Sequence, residues 1–250
     1  MANDFKDTNC IITGAASGIG RACAVTLAER GAARLILVDR DKDALDALDL
    51  TCETVRHAAD VSDPDFWASL DTGPLHHAVL NAGIAHGRPI EKLDFADWRR
   101  VMAVNLDGMF LSLKTALAAM DRGGSAVLTA SATGVKAEPG IAAYAASKAA
   151  TIQLARVAAK EVAPRGIRVN AIAPGGVDTA IWDTAPFFKQ LVEDHGGDRQ
   201  AALDAMASAG TPLGQFATPE LIAAQIAFLL SADAASITGT ALVTDGGYTL

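Results

Sequence analysis

Short apolar segments alternate along this chain with longer stretches in which apolar residues recur at helical spacing. A strand, a helix and a further strand form a right-handed βαβ unit, and repeated units build a parallel sheet with helices on both faces. We therefore predict a single α/β domain with a doubly wound, mostly parallel sheet of seven strands. The predicted strands are residues 10–13, 34–38, 55–58, 76–80, 126–130, 167–172 and 241–244, and the main helices are residues 18–29, 96–120, 141–162 and 219–230.

Composition narrows the class of protein. The 250 residues, 50% of them hydrophobic, suffice for one sizeable core, and no linker or repeat divides the chain. A formal net charge of -8 disfavours nucleic-acid and membrane partners, because both need clustered Lys and Arg. The cysteines Cys10, Cys23 and Cys52 lack CxxC spacing and are expected to be free thiols. No signal peptide or apolar run of transmembrane length is apparent, so we expect a cytoplasmic protein.

A glycine-rich turn spans residues 13–20, between the first predicted strand and the first predicted helix. Glycines allow a tight turn and a close approach of backbone N–H groups to a pyrophosphate, which the positive end of the helix also favours. The spacing G-x-x-x-G-x-G is a weak motif by itself, and a βα turn without a ligand is the alternative. The expected phosphate contacts are Gly14, Ser17, Gly18, Ile19 and Gly20.

Asp39 indicates which dinucleotide is bound. It ends the second predicted strand, where a carboxylate accepts hydrogen bonds from both hydroxyls of an adenosine ribose. A 2′-phosphate would meet like charge there, so NAD is expected and NADP is less favoured. Arg40 follows directly and either pairs with a 2′-phosphate, stacks on adenine or is solvated.

Tyr144 and Lys148 are the candidate acid/base pair. They are four residues apart in a predicted helix and therefore share one face. A free tyrosine has a pKa of about 10, and acid/base work near neutrality needs a lower pKa. The ammonium of Lys148 and a positively charged nicotinamide ring together favour that lower pKa. A chance pair on a structural helix is the alternative.

The motifs together resemble the short-chain dehydrogenase/reductase family over essentially the full chain. The matching positions, in order, are residues 13–20, Asp60-Val61, Asn81-Ala82-Gly83, Asn105, Ser131, Tyr144-x-x-x-Lys148 and Pro174-Gly175. The resemblance implies a Rossmann fold with strand order 3-2-1-4-5-6-7. It also implies an NAD-dependent enzyme that interconverts a secondary alcohol and a ketone.

The resemblance also implies residue roles. Ser131 orients the substrate oxygen, and Tyr144 exchanges its proton and also contacts the cofactor. Lys148 lowers the pKa of Tyr144 and binds the nicotinamide ribose, and Asn105 holds a water in the proton relay. Of the remaining cofactor contacts, the first five lie on the adenosine side and the other four near the nicotinamide: Asp60, Val61, Asn81, Ala82, Gly83, Pro174, Gly175, Val177 and Thr179.

Two departures from the family pattern are visible. Leu80 stands where the family often has a second asparagine before Asn81, and the intervals from Asp39 to Asp60 and from Asp60 to Asn81 are short. These differences imply trimmed helices with the catalytic residues retained.

Residues 177–213 interrupt the alternation and are expected to form a substrate-binding lid. Its apolar residues either build a pocket for a cyclic, aromatic or medium-chain ketone or pack the lid itself. These residues are Trp182, Phe187, Phe188, Leu191 and Val192. His86, Arg88 and His195 fall on loops near the expected pocket and receive no role, because such residues are more often solvated.

Alternative functions stay open at this point. Within the family they are a sugar or polyol dehydrogenase and a 3-oxoacyl reductase, and outside catalysis a dinucleotide-binding protein. We assign no metal ligands. The resemblance implies a homodimer or homotetramer formed through the helices at residues 96–120 and 141–162.

Overall fold

The computed structural model describes residues 4–250, apart from the side chains of Thr184 and Pro186. Its strands are β1 (Asn9–Thr13), β2 (Arg34–Asp39), β3 (Glu53–Ala58), β4 (His77–Leu80), β5 (Ser125–Thr129), β6 (Arg168–Pro174) and β7 (Ala241–Thr244). They form a seven-stranded sheet in the order β3-β2-β1-β4-β5-β6-β7, with every pairing parallel. The predicted doubly wound architecture and strand order are confirmed.

Helices connect the strands across both faces of the sheet. They are α1 (Gly18–Glu29), α2 (Lys42–Asp46), α3 (Pro64–Ser69), α4 (Phe95–Met102), α5 (Gly108–Ala119), α6 (Ala142–Val162), α7 (Pro186–Asp194), α8 (Arg199–Gly210) and α9 (Pro219–Leu230). α2 and α3 have only five and six residues, so the helices in the two short intervals are trimmed as expected. The predicted lid interval contains α7 and α8.

The core lies in two layers, one on each face of the sheet. In β1, Cys10 and Ile12 face the layer that contains the apolar sides of α1 and α9, and Ile11 faces the layer of α5 and α6. α1 packs directly against α9, joining the two ends of the chain. Because the central strands are buried on both sides, they are continuous apolar segments without alternation.

The predicted helix 96–120 is divided by a π-helical turn, Ala103–Asp107, between α4 and α5. π-helical turns inside α-helices often occur at functional sites. By length and hydropathy alone, the segment Phe95–Ala119 passes as a membrane span, which corrects the expectation that no apolar run reaches that length. Core helices pass the same test, and this segment packs against β4 and α6.

The carboxyl ends of the parallel strands meet at one edge of the sheet, the usual ligand-binding edge of such folds. The ends of β1, β2, β4, β5 and β6 carry the predicted site residues to this edge.

Candidate active site

The glycine turn after β1 has room for backbone only. Gly14 has φ +66°, and a Cβ built there would lie 2.9 Å from Ala82 Cα. A Cβ at Gly20 would lie 2.0 Å from the Gly14 carbonyl oxygen. Larger residues at either position would displace the turn, which explains why glycine occupies both.

The first turn of α1 offers backbone N–H groups to a ligand. Ser17 is the N-cap residue, but its side chain makes no capping hydrogen bond. Gly18 has φ +51°, and a Cβ there would lie 3.1 Å from Thr179 Cγ2. Ile19 follows with its side chain against the core. A narrow, glycine-lined opening at a helix N-terminus fits the phosphates of a dinucleotide.

The carboxylate of Asp39 lies beside this turn. Its Oδ2 accepts a hydrogen bond from the Ala16 N–H at 3.0 Å, and its Oδ1 accepts one from the Asp41 N–H at 3.1 Å. Each oxygen keeps a further lone pair for a ribose hydroxyl. Arg40 is exposed. The position of Asp39 therefore fits the adenosine ribose of a bound dinucleotide.

Thr13, for which no individual role was predicted, joins the glycine turn to the loop after β4. Its buried hydroxyl oxygen accepts hydrogen bonds from the N–H groups of Asn81 and Ala82, at 2.9 and 3.1 Å. Asn81 Nδ2 in turn donates to the Gly14 carbonyl at 3.4 Å. The sequence feature that could have indicated this role of Thr13 is a hydroxyl residue at the carboxyl end of a central apolar strand.

Gly83 brings three separate motifs together. A Cβ built there would lie 3.2 Å from Lys148 Nζ and 3.4 Å from Asn105 Oδ1. Lys148 is buried, and its Nζ donates to the Thr129 carbonyl at the end of β5 at 2.8 Å. The absence of a side chain at residue 83 therefore makes space for the ammonium.

Ser131, Tyr144 and Lys148 converge at the carboxyl edge of the sheet. Lys148 Nζ lies 5.6 Å from the centroid of the Tyr144 ring. Ser131 Oγ accepts hydrogen bonds from Thr133 N and Thr133 Oγ1, at 3.2 and 3.0 Å. Its own proton is therefore available for the Tyr144 oxygen or for a substrate, and Ser131 lies close enough to Tyr144 to lower its pKa.

In the protein alone, the pKa of Tyr144 lies above its ordinary value. Burial raises this pKa above its ordinary value, and the hydrogen bond with Ser131 offsets only part of that effect. The lowering of this pKa by Lys148 together with a positively charged nicotinamide ring stays a prediction. In the protein alone, Lys148 Nζ donates to the Thr129 carbonyl.

Burial lowers the pKa of Lys148 from 10.5 to about 8. The folded state thus releases this proton before the unfolded state does, and stability rises with pH between about 8 and 10.5. We expect the free energy of unfolding of the wild type, relative to Lys148→Met, to rise by up to about 3 kcal/mol over that window. Urea unfolding of both proteins at several pH values measures this, and a pH-independent difference would contradict it.

Asn105 lies in the π-helical turn and is fully buried. Its Oδ1 accepts from Ile84 N at 2.8 Å, and its Nδ2 donates to Ile84 O at 2.9 Å and to Ser147 Oγ at 3.1 Å. Ser147, to which no role was given, also donates to the Tyr144 carbonyl at 2.7 Å. Both amide protons are occupied, so only the second lone pair of Oδ1 is left for a proton relay.

Asp60 and Val61 form the turn after β3. Asp60 Oδ1 accepts from the backbone and the hydroxyl of Ser62, at 2.8 and 2.7 Å. Val61 is buried, and its Cγ2 would lie 2.8 Å from a Cβ at Gly108. Gly108 thus lets α5 approach this turn closely.

Pro174 is the last residue of β6, and the loop that follows it packs against the end of β7. A Cβ at Gly175 would lie 2.8 Å from Asp245 Cα. Val177 is buried and forms a β-bridge with Ala217. The loop then reaches the glycine turn through Thr179, as the Gly18 contact shows.

The apolar lid residues mostly pack against one another. Phe188 is 1% exposed, and Leu191 and Val192 pack against it together with Trp182. Phe187, by contrast, is 58% exposed. This arrangement favours the interpretation that most of them support the lid itself.

The loop residues without a predicted role have local partners. His86 Nε2 lies 3.3 Å from Asp97 Oδ2, and Arg88 Nη1 lies 3.9 Å from Asp94 Oδ2. His195 is the C-cap residue of α7, and its Nδ1 lies 2.8 Å from the Leu191 carbonyl oxygen. These contacts account for all three side chains without a catalytic function.

Known proteins resemble the chain over nearly its whole length. The family model described as enoyl-(acyl carrier protein) reductase matches residues 14–249. The chain is 38% identical to cis-4-hydroxycyclohexanecarboxylate dehydrogenase of Sinomonas cyclohexanicum, over 100% of this chain and 99% of the relative.

Solved structures give the same result. The L-sorbose reductase of Gluconobacter frateurii, complexed with NADPH and L-sorbose, superposes with a TM-score of 0.90 at 28% identity, over 100% of this chain and 99% of that one. A short-chain dehydrogenase/reductase of the glucose/ribitol dehydrogenase type from Brucella melitensis superposes with a TM-score of 0.84 at 32% identity, over 100% of both chains. The chain is therefore an oxidoreductase of the short-chain dehydrogenase/reductase family.

Proposed function

We propose that this protein is an NAD(H)-dependent dehydrogenase/reductase that interconverts a secondary alcohol and a ketone, with Tyr144 as the general acid/base. The observation that carries the proposal is the convergence of Ser131, Tyr144 and Lys148 at the sheet edge where the glycine turn opens. This arrangement supports proton transfer to or from an oxygen held between the two hydroxyl groups.

In alcohol oxidation, Ser131 orients the substrate oxygen and Tyr144 accepts its proton. Thr133 supports this role of Ser131, because its N–H and its hydroxyl occupy the lone pairs of Ser131 Oγ. The Ser131 proton is then free to be donated to the substrate oxygen. Lys148 holds positive charge in a buried position, and Asn105 joins its helix to that of Tyr144 through Ser147. In ketone reduction the same groups act in reverse, and Tyr144 donates the proton.

A nicotinamide dinucleotide, when bound, supplies the hydride acceptor or donor. The glycine turn and α1 would hold its phosphates, and Asp39 would hold its adenosine ribose. Its positive nicotinamide ring and the ammonium of Lys148 would together favour the phenolate of Tyr144, against the burial that raises the pKa of Tyr144 in the protein alone.

The preference for NAD rests on the charge of Asp39. The L-sorbose reductase was solved with NADPH, which supports the alternative of NADP. We expect Asp39→Asn, which keeps the shape and removes the charge, to raise the ratio of kcat/KM for NADP to that for NAD by about tenfold. Steady-state kinetics with both cofactors measures the ratio.

Asp43→Asn is the matched control, because Asp43 is an exposed carboxylate in the first turn of α2, four residues further on. It removes the same charge and should leave the ratio unchanged. A wild type that already prefers NADP, or an unchanged ratio in Asp39→Asn, would refute the role given to Asp39.

For the substrate we propose a small free alcohol or ketone, with cyclic secondary alcohols first. The name of the Sinomonas relative, a hydroxycyclohexanecarboxylate dehydrogenase, supports this class. The L-sorbose reductase supports the alternative of a sugar or polyol, and the description of the family model supports acyl-carrier-protein thioesters. The negative net charge of the chain is unfavourable for an acidic carrier protein.

A spectrophotometric screen tests the proposal. It follows the absorbance of reduced nicotinamide with NAD and NADP against cyclic alcohols, polyols and, in the reducing direction, 3-oxoacyl thioesters. We expect turnover with at least one secondary alcohol. Tight dinucleotide binding without turnover of any substrate class would favour the non-catalytic alternative.

We further propose that the protein acts in the cytoplasm as a homodimer or homotetramer. Phe110 on α5 and Val157 on α6 are 51% and 44% exposed, and an interface would cover them. Light scattering after size-exclusion chromatography measures the mass, and a monomer at micromolar concentration would refute the oligomer.

A further inference from the structure

Arg199, the first residue of α8, contacts three successive parts of the loop after β6. Its Nη1 lies 2.7 Å from Asp178 Oδ1, its Nη2 donates to the Thr179 carbonyl at 3.1 Å, and its Nε lies 2.8 Å from Asp183 Oδ1. The guanidinium also lies 5.8 Å from the Phe188 ring centroid. All three of its nitrogens are thus hydrogen-bonded to one short segment, residues 178–183, which we call the clamp segment.

The clamp segment lies directly beside the glycine turn. Thr179 Cγ2 is the atom closest to the Cβ position of Gly18, at 3.1 Å. On its other side the segment is held to the loop before α9, because Asp178 N donates to Ala217 O at 3.0 Å. Trp182 Nε1 donates to Val177 O at 2.8 Å. A shift of the clamp segment would therefore change the width of the opening above the N-terminus of α1.

The geometry of Arg199 is specific to arginine. A planar guanidinium presents several N–H donors in a fixed fork and also stacks on rings, whereas lysine offers a single point charge. A single exposed ion pair contributes little to stability. Here two carboxylates and a carbonyl share one guanidinium, so several charge-assisted hydrogen bonds act together. The segment is thereby joined to α8, and through Phe188 to α7.

We infer that Arg199 is a positioning residue that holds the clamp segment against the glycine turn and so couples the lid helices α7 and α8 to dinucleotide binding. This inference rests on the proposed function. Arg199 does not contact the reacting groups, so its loss should weaken dinucleotide binding and leave the proton-transfer chemistry intact.

The first test measures binding and kinetics in Arg199→Gln. We expect the Kd for NADH, by titration calorimetry, and the KM for the dinucleotide to rise about tenfold, with kcat at saturating dinucleotide within about threefold. Arg199→Lys should recover only part of the affinity, because it restores the charge without the fork. Arg122→Gln, at an exposed arginine just before β5, is the control and should leave both quantities unchanged.

The second test measures, in the absence of any dinucleotide, whether Arg199 holds the clamp segment in place. Backbone hydrogen exchange of residues 178–183 should be faster in Arg199→Gln than in the wild type and unchanged in Arg122→Gln. Asp178→Asn should also weaken the binding of NADH. In the double variant with Arg199→Gln, the loss of binding free energy should be smaller than the sum of the two single losses, because both residues belong to one interaction.

The outcomes separate the two proposals. A wild type that binds neither NADH nor NADPH would refute the proposed function and the coupling, while the exchange measurement would still decide whether Arg199 positions the segment. Faster exchange with an unchanged Kd would overturn the coupling. Unchanged hydrogen exchange of residues 178–183 in Arg199→Gln would overturn the inference that Arg199 holds the clamp segment in place.

Discussion

Tyr144→Phe should lower kcat by about 10³-fold, because it removes the hydroxyl to which we assign proton exchange with the substrate oxygen and leaves the ring in place. The affinity for NADH should stay within about threefold of the wild type, since none of the glycine-turn contacts involves the phenol oxygen. Steady-state kinetics with the best alcohol from the screen, together with NADH titration calorimetry, measures both quantities.

The chain supplies its own control, because Tyr248 is its one other tyrosine. Tyr248 OH donates to Glu138, and Lys136 Nζ donates to the Tyr248 carbonyl at 2.6 Å. Tyr248→Phe should cost about 1 kcal/mol of stability and leave kcat within about threefold. Equal activity losses in the two variants, or an unimpaired Tyr144→Phe protein, would mean that another group transfers the proton.

Gly20→Ala should weaken dinucleotide binding by about 100-fold and lower the free energy of unfolding by about 1–3 kcal/mol. The added Cβ would lie 2.0 Å from the Gly14 carbonyl oxygen, so the turn must move away from α1. NADH titration calorimetry and urea unfolding measure the two effects.

Gly210→Ala is the matched control. Gly210 ends α8, is exposed, and has no atom of the described residues within 4 Å of its Cβ position. The same substitution there should be neutral or slightly stabilising, because alanine reduces the freedom of the unfolded chain. Wild-type NADH affinity in Gly20→Ala would show that the phosphates bind elsewhere.

The sequence predicted the sheet well for a physical reason. Strands buried on both faces must be apolar throughout, so β1 and β5 are visible as continuous apolar runs. The edge strand β3 is less buried and gave the weakest signal. Its position was nevertheless predicted to within two residues at its start.

The local geometry of the site could be predicted only in part. Spacing alone placed Tyr144 and Lys148 on one face of a helix, and the structure confirms that they are adjacent. The direction of the Tyr144 pKa depends on burial, which spacing does not report. The π-helical turn around Asn105 likewise has no clear signature in a continuous apolar helix.

Contacts between residues that are far apart in the sequence were the hardest to predict. Arg199 lies 16 or more residues from the aspartates it binds, and no periodic pattern connects them. Thr13 begins the glycine-rich motif, yet its hydroxyl oxygen accepts hydrogen bonds from residues 81 and 82, which follow the neighbouring strand β4. Such pairings depend on how the elements pack in three dimensions, which no local sequence pattern encodes.

The packing of α1 against α9 has a consequence for how the protein is made. A nascent chain leaves the ribosome with Leu27 and its apolar neighbours uncovered, and their partners Ile222 and Ile226 emerge only after residues 30–218. Closure of this layer must therefore await the end of translation. A stalled or prematurely terminated chain would expose the apolar face of α1 to chaperones and proteases. We expect such a chain to be degraded, without leaving a partly active fragment.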